Sequence, residues 1–176
     1  MALIVKKSQI PGSGKGLFTT KALKKADKII QYRGEEIGWK EYEKRVKLDQ
    51  DGYLFFFNKN KCVDAFHTPQ FKARYANDAN GFTRVKGLKN NSQYEIFGEK
   101  CFVVAIRDIK AGEEIFTDYT KDYWDSMRYN YKLKQKQEKE AAQKEKTKAA
   151  KKKVSAKKVV KKKAATKKKA VTKKKK

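Results

Sequence analysis

The segment Gly112-Glu-Glu-Ile-Phe-Thr-Asp-Tyr119 says most about how this chain folds. Its glycine and two glutamates are typical of a turn, and residues 115–119 favour a short β-strand. We therefore interpret Glu113 and Glu114 as turn and strand-entry residues rather than as a paired acid and base. Tyr119 is either a buried, hydrogen-bonded tyrosine or part of a functional site, and the segment alone leaves both alternatives open.

Similar short β segments, separated by turns, fill most of the first 124 residues. In the aromatic segment at residues 53–57 we expect Leu54 and Phe56 to lie in the core. Residues 98–100 are expected to be the three-residue connection of a hairpin. Because helical periodicity is limited to a few stretches, the sequence predicts a mainly β fold. The predicted strands are residues 2–5, 17–20, 27–32, 53–57, 61–65, 94–97, 101–106 and 115–119, with helical segments at 39–48, at 71–75 and from 123 onward.

A glycine-rich loop, Gly12-Ser-Gly14-Lys-Gly16, lies near the start of the chain. Without Cβ atoms, its backbone amides can approach a ligand closely. A P-loop is excluded because glycine, and not serine or threonine, follows Lys15. A dinucleotide-binding fingerprint is excluded because a β-like segment follows the glycines where a helix is required. A ligand-binding loop and a plain turn remain as alternatives.

Six segments in order carry a family resemblance that covers roughly residues 3–124. Together they resemble the successive signatures of the SET family. The resemblance implies a fold of short curved sheets with a knot-like C-terminal threading, in which the segments near Asn77 and Tyr119 meet. We expect a catalytic domain at residues 1–124, a helical extension at 125–146 and a disordered tail at 147–176. The segments are Gly14-Lys-Gly16-Leu-Phe18, Tyr32-Arg-Gly-Glu35, Tyr53-Leu-Phe55, Val63-Asp-Ala65, Arg74-Tyr-Ala-Asn77 and Gly112 to Tyr119.

The resemblance implies a protein-lysine N-methyltransferase with S-adenosyl-L-methionine as cofactor. By position, Arg74 matches an arginine that pairs with the cofactor's carboxylate, a contact that suits a guanidinium group. Asn77 matches an asparagine on the adenine and ribose side of the cofactor. The other matching cofactor positions are Gly14, Lys15, Gly16, Tyr53, Asp78, Tyr123 and Trp124.

The resemblance also implies which residues surround the transferred methyl group. Tyr119 matches the catalytic tyrosine, Tyr32 matches a tyrosine that lines the transfer site, and Phe116 and Thr117 join Tyr119 at the substrate channel. The reacting lysine must be uncharged, although a free lysine has a pKa of about 10.4. Aromatic walls and the cationic sulfonium both favour the neutral amine. No strong general base is required.

Four features depart from the family pattern. Asp78 stands where the family usually has histidine, and Ala79 stands where serine or cysteine is common. Thr117 occupies a position where phenylalanine or tyrosine commonly sets how many methyl groups are added. The cysteine-rich flanking segments of many members are missing, so we expect residues 123–131 to close the substrate channel.

The remaining reactive residue types point to no second chemistry. Cys62 and Cys101 are isolated in the sequence, which argues against a zinc cluster or a disulfide framework and favours two buried, inert thiols. His67, the single histidine, is interpreted as a surface residue. We therefore expect no metal site.

The C-terminal tail carries most of the charge. Residues 132–176 contain 22 lysines, 3 glutamates and no aromatic residue, whereas the whole chain has a net charge of +26. Such a segment cannot bury enough apolar surface to fold alone, and its charge predicts salt-sensitive binding to DNA without sequence preference. Nuclear localisation, binding to anionic membranes and simple solubility are alternative roles for the same lysines.

Two classes of function follow from these patterns. The first is a lysine methyltransferase that acts on histones or other basic, DNA-associated proteins. The second is a catalytically inactive SET fold that coats DNA or chromatin through its tail. For both we expect an intracellular, chromatin- or nucleoid-associated protein (nuclear in a eukaryotic cell). Neither a classical secretion signal nor a membrane span is expected.

Overall fold

The computed structural model describes residues 2–48, 50–58 and 61–145. Within the described residues the chain divides into two units, the first ending at Lys121 and the second beginning at Asp122. The tail predicted at residues 147–176 lies outside the described residues. The domain boundaries at 124 and 146 stay predictions.

In the described residues, ten short strands form three small sheets, so the prediction of a mainly β fold is confirmed. The sheet orders are β1-β2-β9, β10-β7-β8-β3 and β4-β6-β5. The elements are β1 (Leu3–Lys7), β2 (Lys15–Thr19), β3 (Lys28–Tyr32), β4 (Glu35–Ile37), α1 (Trp39–Lys47), β5 (Leu54–Asn58), β6 (Lys61–Asp64), a 3-10 turn (Lys72–Tyr75), β7 (Ser92–Phe97), β8 (Lys100–Ala105), β9 (Glu114–Ile115), β10 (Thr117–Asp118) and α2 (residues 121–145).

Apolar side chains from different sheets meet in the main core of the first unit. Leu17 of β2 and Ile115 of β9 are fully buried, and Val103 of β8 packs in the same cluster. A second cluster surrounds Tyr32 at the end of β3 and includes Cys101 and Ala73. Burial of each large apolar side chain contributes about 1.5–3 kcal/mol, so the two clusters hold the short strands together.

The C-terminal strands run between two earlier segments. Phe116 forms a parallel bridge with Asn77, and the Thr117 amide donates a 2.8 Å hydrogen bond to the Asn77 carbonyl. On the other side, β10 pairs in parallel with β7, and the Ser92 amide donates to the Phe116 carbonyl. The segments near Asn77 and Tyr119 therefore meet, as the family resemblance implies.

Two local predictions are wrong. The β7–β8 hairpin has a two-residue connection, Gly98 and Glu99, because Phe97 pairs directly with Lys100. Gly98 has a φ of 61°, a conformation that glycine adopts without strain at the first position of a tight hairpin turn. In β5, Leu54 is half-buried and the face predicted for Phe56 is wrong. Phe56 is 43% exposed, while its neighbours Phe55 and Phe57 pack on the second core cluster.

A buried ion network anchors α1 to the sheet of β4, β5 and β6. Arg45 forms ion pairs with Glu35 of β4, with Glu41 one turn earlier and with Asp64, whose side chain is 0% exposed. Burial opposes the charge of Arg45, but the hydrogen bonds to Asp64, Glu35 and Glu41 outweigh it and raise the pKa of the guanidinium. The composition of α1 alone gave no sign of this network, since Glu41 and Arg45 also suit an exposed helix face.

Candidate active site

Tyr119 follows β10, and hydrogen bonds hold both its phenol and its backbone amide. Its phenol donates a 2.7 Å hydrogen bond to the Ala76 carbonyl. Its backbone amide donates a 2.8 Å hydrogen bond to the carboxylate of Asp78. Both acceptors belong to one short segment, residues 76–78, so the segment that pairs with Phe116 also fixes the tyrosine.

The ring of Tyr119 belongs to an aromatic cluster of four rings: Tyr32, Phe55, Tyr94 and Tyr119. Tyr94 stacks on Tyr119 with ring centroids 6.0 Å apart and an interplanar angle of 22°. Tyr94 also meets Tyr32 edge to face at 5.7 Å and Phe55 at 5.2 Å. Tyr94 therefore connects the two tyrosines that the family resemblance assigned to the transfer site. The sequence did not single it out, because nothing in an ordinary β7 pattern marks which face meets Tyr119.

Tyr32 closes the buried side of the aromatic cluster. It is 5% exposed, and its phenol donates a 2.7 Å hydrogen bond to the Tyr53 carbonyl. Burial, reinforced by the carboxylate of Asp64, raises the pKa of Tyr32 above its ordinary value. The phenol is therefore neutral at physiological pH and serves as a hydrogen-bonding group rather than as a base.

Arg74 lies on the Tyr53 side of the site. Its guanidinium carbon lies 3.6 Å from the centre of the Tyr53 ring, and its Nη1 donates to the carbonyls of Ala65 and Phe66. Its Nε is buried and has no hydrogen-bond partner among the described residues. A buried donor without a partner is costly, so Arg74 is suited to an acceptor that comes from outside the chain.

Asn77 joins the glycine-rich loop to the strand that leads to Tyr119. Its side-chain amide donates a 3.0 Å hydrogen bond to the Lys15 carbonyl and lies 3.4 Å from a carboxylate oxygen of Glu114. The ammonium of Lys15 lies 6.0 Å from the centre of the Tyr75 ring, on which Arg74 also packs. Lys15, Tyr53, Arg74 and Asn77, assigned to the cofactor by resemblance, are thus brought together.

Glu114 has a larger structural part than its place in a turn suggests. It begins β9, as predicted for a strand-entry residue, but it is only 2% exposed. Its carboxylate accepts 2.7 Å hydrogen bonds from the Ser8 hydroxyl and the Gln9 amide. Glu113, by contrast, forms an exposed pair with Arg107. Sequence reasoning missed the burial of Glu114, because a Glu-Glu pair in a turn is usually solvated.

The three loop glycines are required for different reasons. Gly12 and Gly14 have φ angles of 84° and 69°, in the left-handed region that favours glycine. A Cβ on Gly16 would lie 2.0 Å from a carboxylate oxygen of Glu114. The absent side chain at Gly16 is therefore explained by a neighbour within the chain.

The remaining predicted site residues fall in two places. Phe116 and Thr117 are buried directly before Asp118 and Tyr119, and Thr117 Oγ1 has no hydrogen-bond partner among the described residues. Tyr123 and Trp124 lie in α2 of the second unit, where their rings meet edge to face at 5.1 Å. Their assignment to the cofactor stays a prediction.

The two cysteines and the single histidine have the surroundings that the sequence predicted for them. Cys62 and Cys101 are buried and free, and burial raises the pKa of Cys62 to about 11 and the pKa of Cys101 to about 12. His67 is exposed and packs on Phe66. In the described ranges no group of three or more His, Cys, Asp or Glu side chains is placed to hold a metal ion.

None of the described helices combines the length and apolar character needed to cross a bilayer.

Known proteins of one family match this chain. The SET domain family model matches residues 14–120, so this chain belongs to the SET-domain family. The N-lysine methyltransferase KMT5A of Xenopus tropicalis is 29% identical over 126 residues, which cover 65% of this chain and 35% of that protein. The histone-lysine N-methyltransferase CLF of Oryza sativa subsp. japonica is 33% identical over 113 residues, covering 61% of this chain and 12% of that protein.

Solved structures show the same relationship. A crystal structure of an active polycomb repressive complex 2 in the basal state aligns with a TM-score of 0.56 and 30% identity, covering 68% of this chain and 15% of that one. A humanized mutant of the Chaetomium thermophilum complex, bound to the inhibitor GSK126, aligns with a TM-score of 0.56 and 31% identity, covering 67% and 15%. This chain therefore spans only about a third, or less, of the proteins it matches.

Proposed function

We propose that this chain is an S-adenosylmethionine-dependent protein-lysine N-methyltransferase that acts on histones or other basic, DNA-associated proteins. The observation that carries the proposal is the position of Tyr119. Its phenol, inside the aromatic cluster, donates a hydrogen bond to the Ala76 carbonyl. The next residue after Ala76 is Asn77, whose side-chain amide donates to the Lys15 carbonyl. The proposed transfer site and the proposed cofactor site would thus share one stretch of backbone.

The residues at the predicted cofactor site fit S-adenosylmethionine. The unpartnered Nε–H of Arg74 suits the carboxylate of the cofactor's amino-acid end, and Tyr53 shields the guanidinium from solvent. Asn77 and the backbone of Lys15 would hold the nucleoside side. When bound, S-adenosylmethionine supplies an electrophilic methyl group on a cationic sulfonium.

The aromatic cluster prepares the substrate lysine. Aromatic walls disfavour the ammonium form and so lower the pKa of an entering lysine towards neutrality. The phenol hydrogens of Tyr32 and Tyr119 are both donated to backbone carbonyls. Each phenol oxygen therefore presents its lone pairs to other donors, and can orient the N–H groups of the amine. Orientation at short distance supplies much of the rate enhancement.

The substrate class is inferred from two independent features. The named relatives include a histone-lysine N-methyltransferase, and the solved neighbours are polycomb complexes. The tail adds 22 lysines within residues 132–176, which favours binding to polyanions such as DNA. We infer a chromatin- or nucleoid-associated enzyme, held near its substrate by the tail.

Methyl transfer to core and linker histones, followed by mass spectrometry, tests this proposal. Methylated lysine that depends on both S-adenosylmethionine and Tyr119 is the expected result. The competing function, an inactive SET fold that coats DNA, predicts DNA binding without any methylated product. Calorimetry of S-adenosylmethionine with the purified chain separates the two further, since an inactive coat protein has no requirement for the cofactor.

A further inference from the structure

The side chain of Asp78 is directed at the backbone of Tyr119. Its carboxylate belongs to a residue that is 4% exposed, and each of its oxygens accepts hydrogen bonds. One oxygen accepts from the Asn80 amide at 2.7 Å and from the side-chain amide of Asn90 at 2.8 Å. The other oxygen accepts from the Tyr119 amide at 2.8 Å. Family resemblance placed Asp78 among the cofactor positions, but these contacts give its carboxylate a different task.

We propose that Asp78, oriented by Asn90, is a positioning residue that holds Tyr119 for methyl transfer, an inference that rests on the proposed function of Tyr119. The phenol of Tyr119 is anchored on the Ala76 carbonyl at 2.7 Å, and its backbone is anchored on Asp78 at 2.8 Å. With both ends fixed, the ring has little freedom to turn. Loss of either anchor misplaces the phenol oxygen, and small misplacements cost rate.

The chemistry of the contact explains why a carboxylate stands at this position. A carboxylate only accepts, and it has about four lone-pair sites for the three donors from Asn80, Asn90 and Tyr119. A neutral histidine has one accepting nitrogen, so it would leave at least two of these donors without a partner. Asn90 is matched to the carboxylate, because its oxygen accepts a 2.9 Å hydrogen bond from the Ala79 amide, which turns its NH₂ group towards Asp78. Asp78 and Asn90 therefore act as a pair.

The first arm of the test separates positioning from cofactor binding. In the full-length chain, Asp78→Asn should lower kcat roughly tenfold or more, the scale of one charge-assisted hydrogen bond. Its Kd for S-adenosylmethionine, measured by calorimetry, should stay within about threefold of wild type. Asp108→Asn is the matched control, because Asp108 also accepts from a backbone amide (Lys25, 3.0 Å) but is exposed. Its kcat should equal that of wild type.

The second arm exchanges the acid and the amide. In the double variant Asp78→Asn with Asn90→Asp, the carboxylate introduced at position 90 can accept from the Ala79 amide and from the side-chain amide introduced at position 78. The side-chain oxygen at position 78 is then turned towards the Tyr119 amide. We expect the exchange to restore most of the lost kcat, although Asn80 loses its acceptor. If Asp78→Asn fails to fold, the exchanged pair still decides, because a folded but inactive double variant would overturn the proposal.

The third arm is independent of turnover. Amide hydrogen exchange of Tyr119, followed by NMR, should accelerate about tenfold or more in Asp78→Asn, whereas the Thr117 amide keeps its protection. Unchanged exchange at Tyr119 would overturn the proposal. So would equal losses of kcat and of cofactor affinity, which would make Asp78 a cofactor-site residue. If wild type itself transfers no methyl group, the proposed function fails and the exchange measurement alone still decides whether Asp78 holds Tyr119.

Discussion

The carboxylate of Glu114 lies against the α-carbon of Gly16, so that a Cβ on Gly16 would stand 2.0 Å from its oxygen. This contact lies within the first sheet, between the first residue of β9 and the residue that follows Lys15 in β2. Glu114 is itself fixed by the Ser8 hydroxyl and the Gln9 amide, each at 2.7 Å, and therefore has little room to retreat.

Gly16→Ala should consequently destabilise the fold by about 1–3 kcal/mol, the usual cost of overpacking a buried site. Urea unfolding of wild type and of the Gly16→Ala variant measures this difference in the free energy of unfolding. Gly52→Ala is the control, because nothing lies within 4 Å of a Cβ at that position. Equal stability of the Gly16→Ala and Gly52→Ala variants would show that Glu114 moves freely and that the contact is not a constraint.

Removal of Arg45 should be among the most destabilising changes in the chain. Arg45→Met leaves the carboxylate of Asp64 buried without its cation, at a cost of about 3–5 kcal/mol. The matched control is Arg107→Met, since Arg107 pairs with Glu113 but has a side chain that is 47% exposed. An exposed pair of that kind contributes about 0–1 kcal/mol. Similar urea midpoints for the two variants would contradict the buried network.

Arg74 and Asn77 should control cofactor affinity. Arg74→Ala should weaken S-adenosylmethionine binding by about 1.5–3 kcal/mol, because a charge-assisted hydrogen bond is lost. Asn77→Ala should also weaken it, since the Lys15 carbonyl loses its 3.0 Å contact with the amide. Calorimetry measures both, with Arg107→Ala as the control. Unchanged affinity in the first two variants would place the cofactor site elsewhere.

The mainly β fold could be predicted from local patterns, and the meeting of the segments near Asn77 and Tyr119 from family motifs in their order along the chain. Tyr119 and Asn77 are recognisable within short motifs, and the strands around them follow from residue type. Tyr94 and Glu114 could not be found in this way, since their roles depend on which distant segment packs against them. Phe56 was assigned to the wrong face because in a run of aromatic residues alternation carries no information, and only the pairing partner decides.

The lysine-rich tail should supply DNA affinity but not catalysis. Full-length protein should lose roughly 10³–10⁵ in duplex-DNA affinity between about 50 and about 200 mM salt, if it neutralises about 6–10 phosphates. A chain cut after Tyr131, or a full-length chain with the tail lysines changed to glutamine, should still methylate a free peptide. Fluorescence anisotropy at several salt concentrations measures the binding. Equal affinity and an equal salt slope without the tail charge would assign DNA binding to residues 1–131.

Mass spectrometry of histones incubated with S-adenosylmethionine and the full-length chain tests the central claim most directly. Wild type should produce methylated lysine. Tyr119→Phe should be slower by roughly 100-fold or more, the scale for loss of one oriented polar group at a reacting centre. Its cofactor affinity should be retained, and Tyr42→Phe, in α1 where the ring packs on Trp39 and Phe56, should be as active as wild type. A wild-type chain that binds DNA but leaves every histone unmodified, or a Tyr119→Phe variant as fast as wild type, would contradict the account.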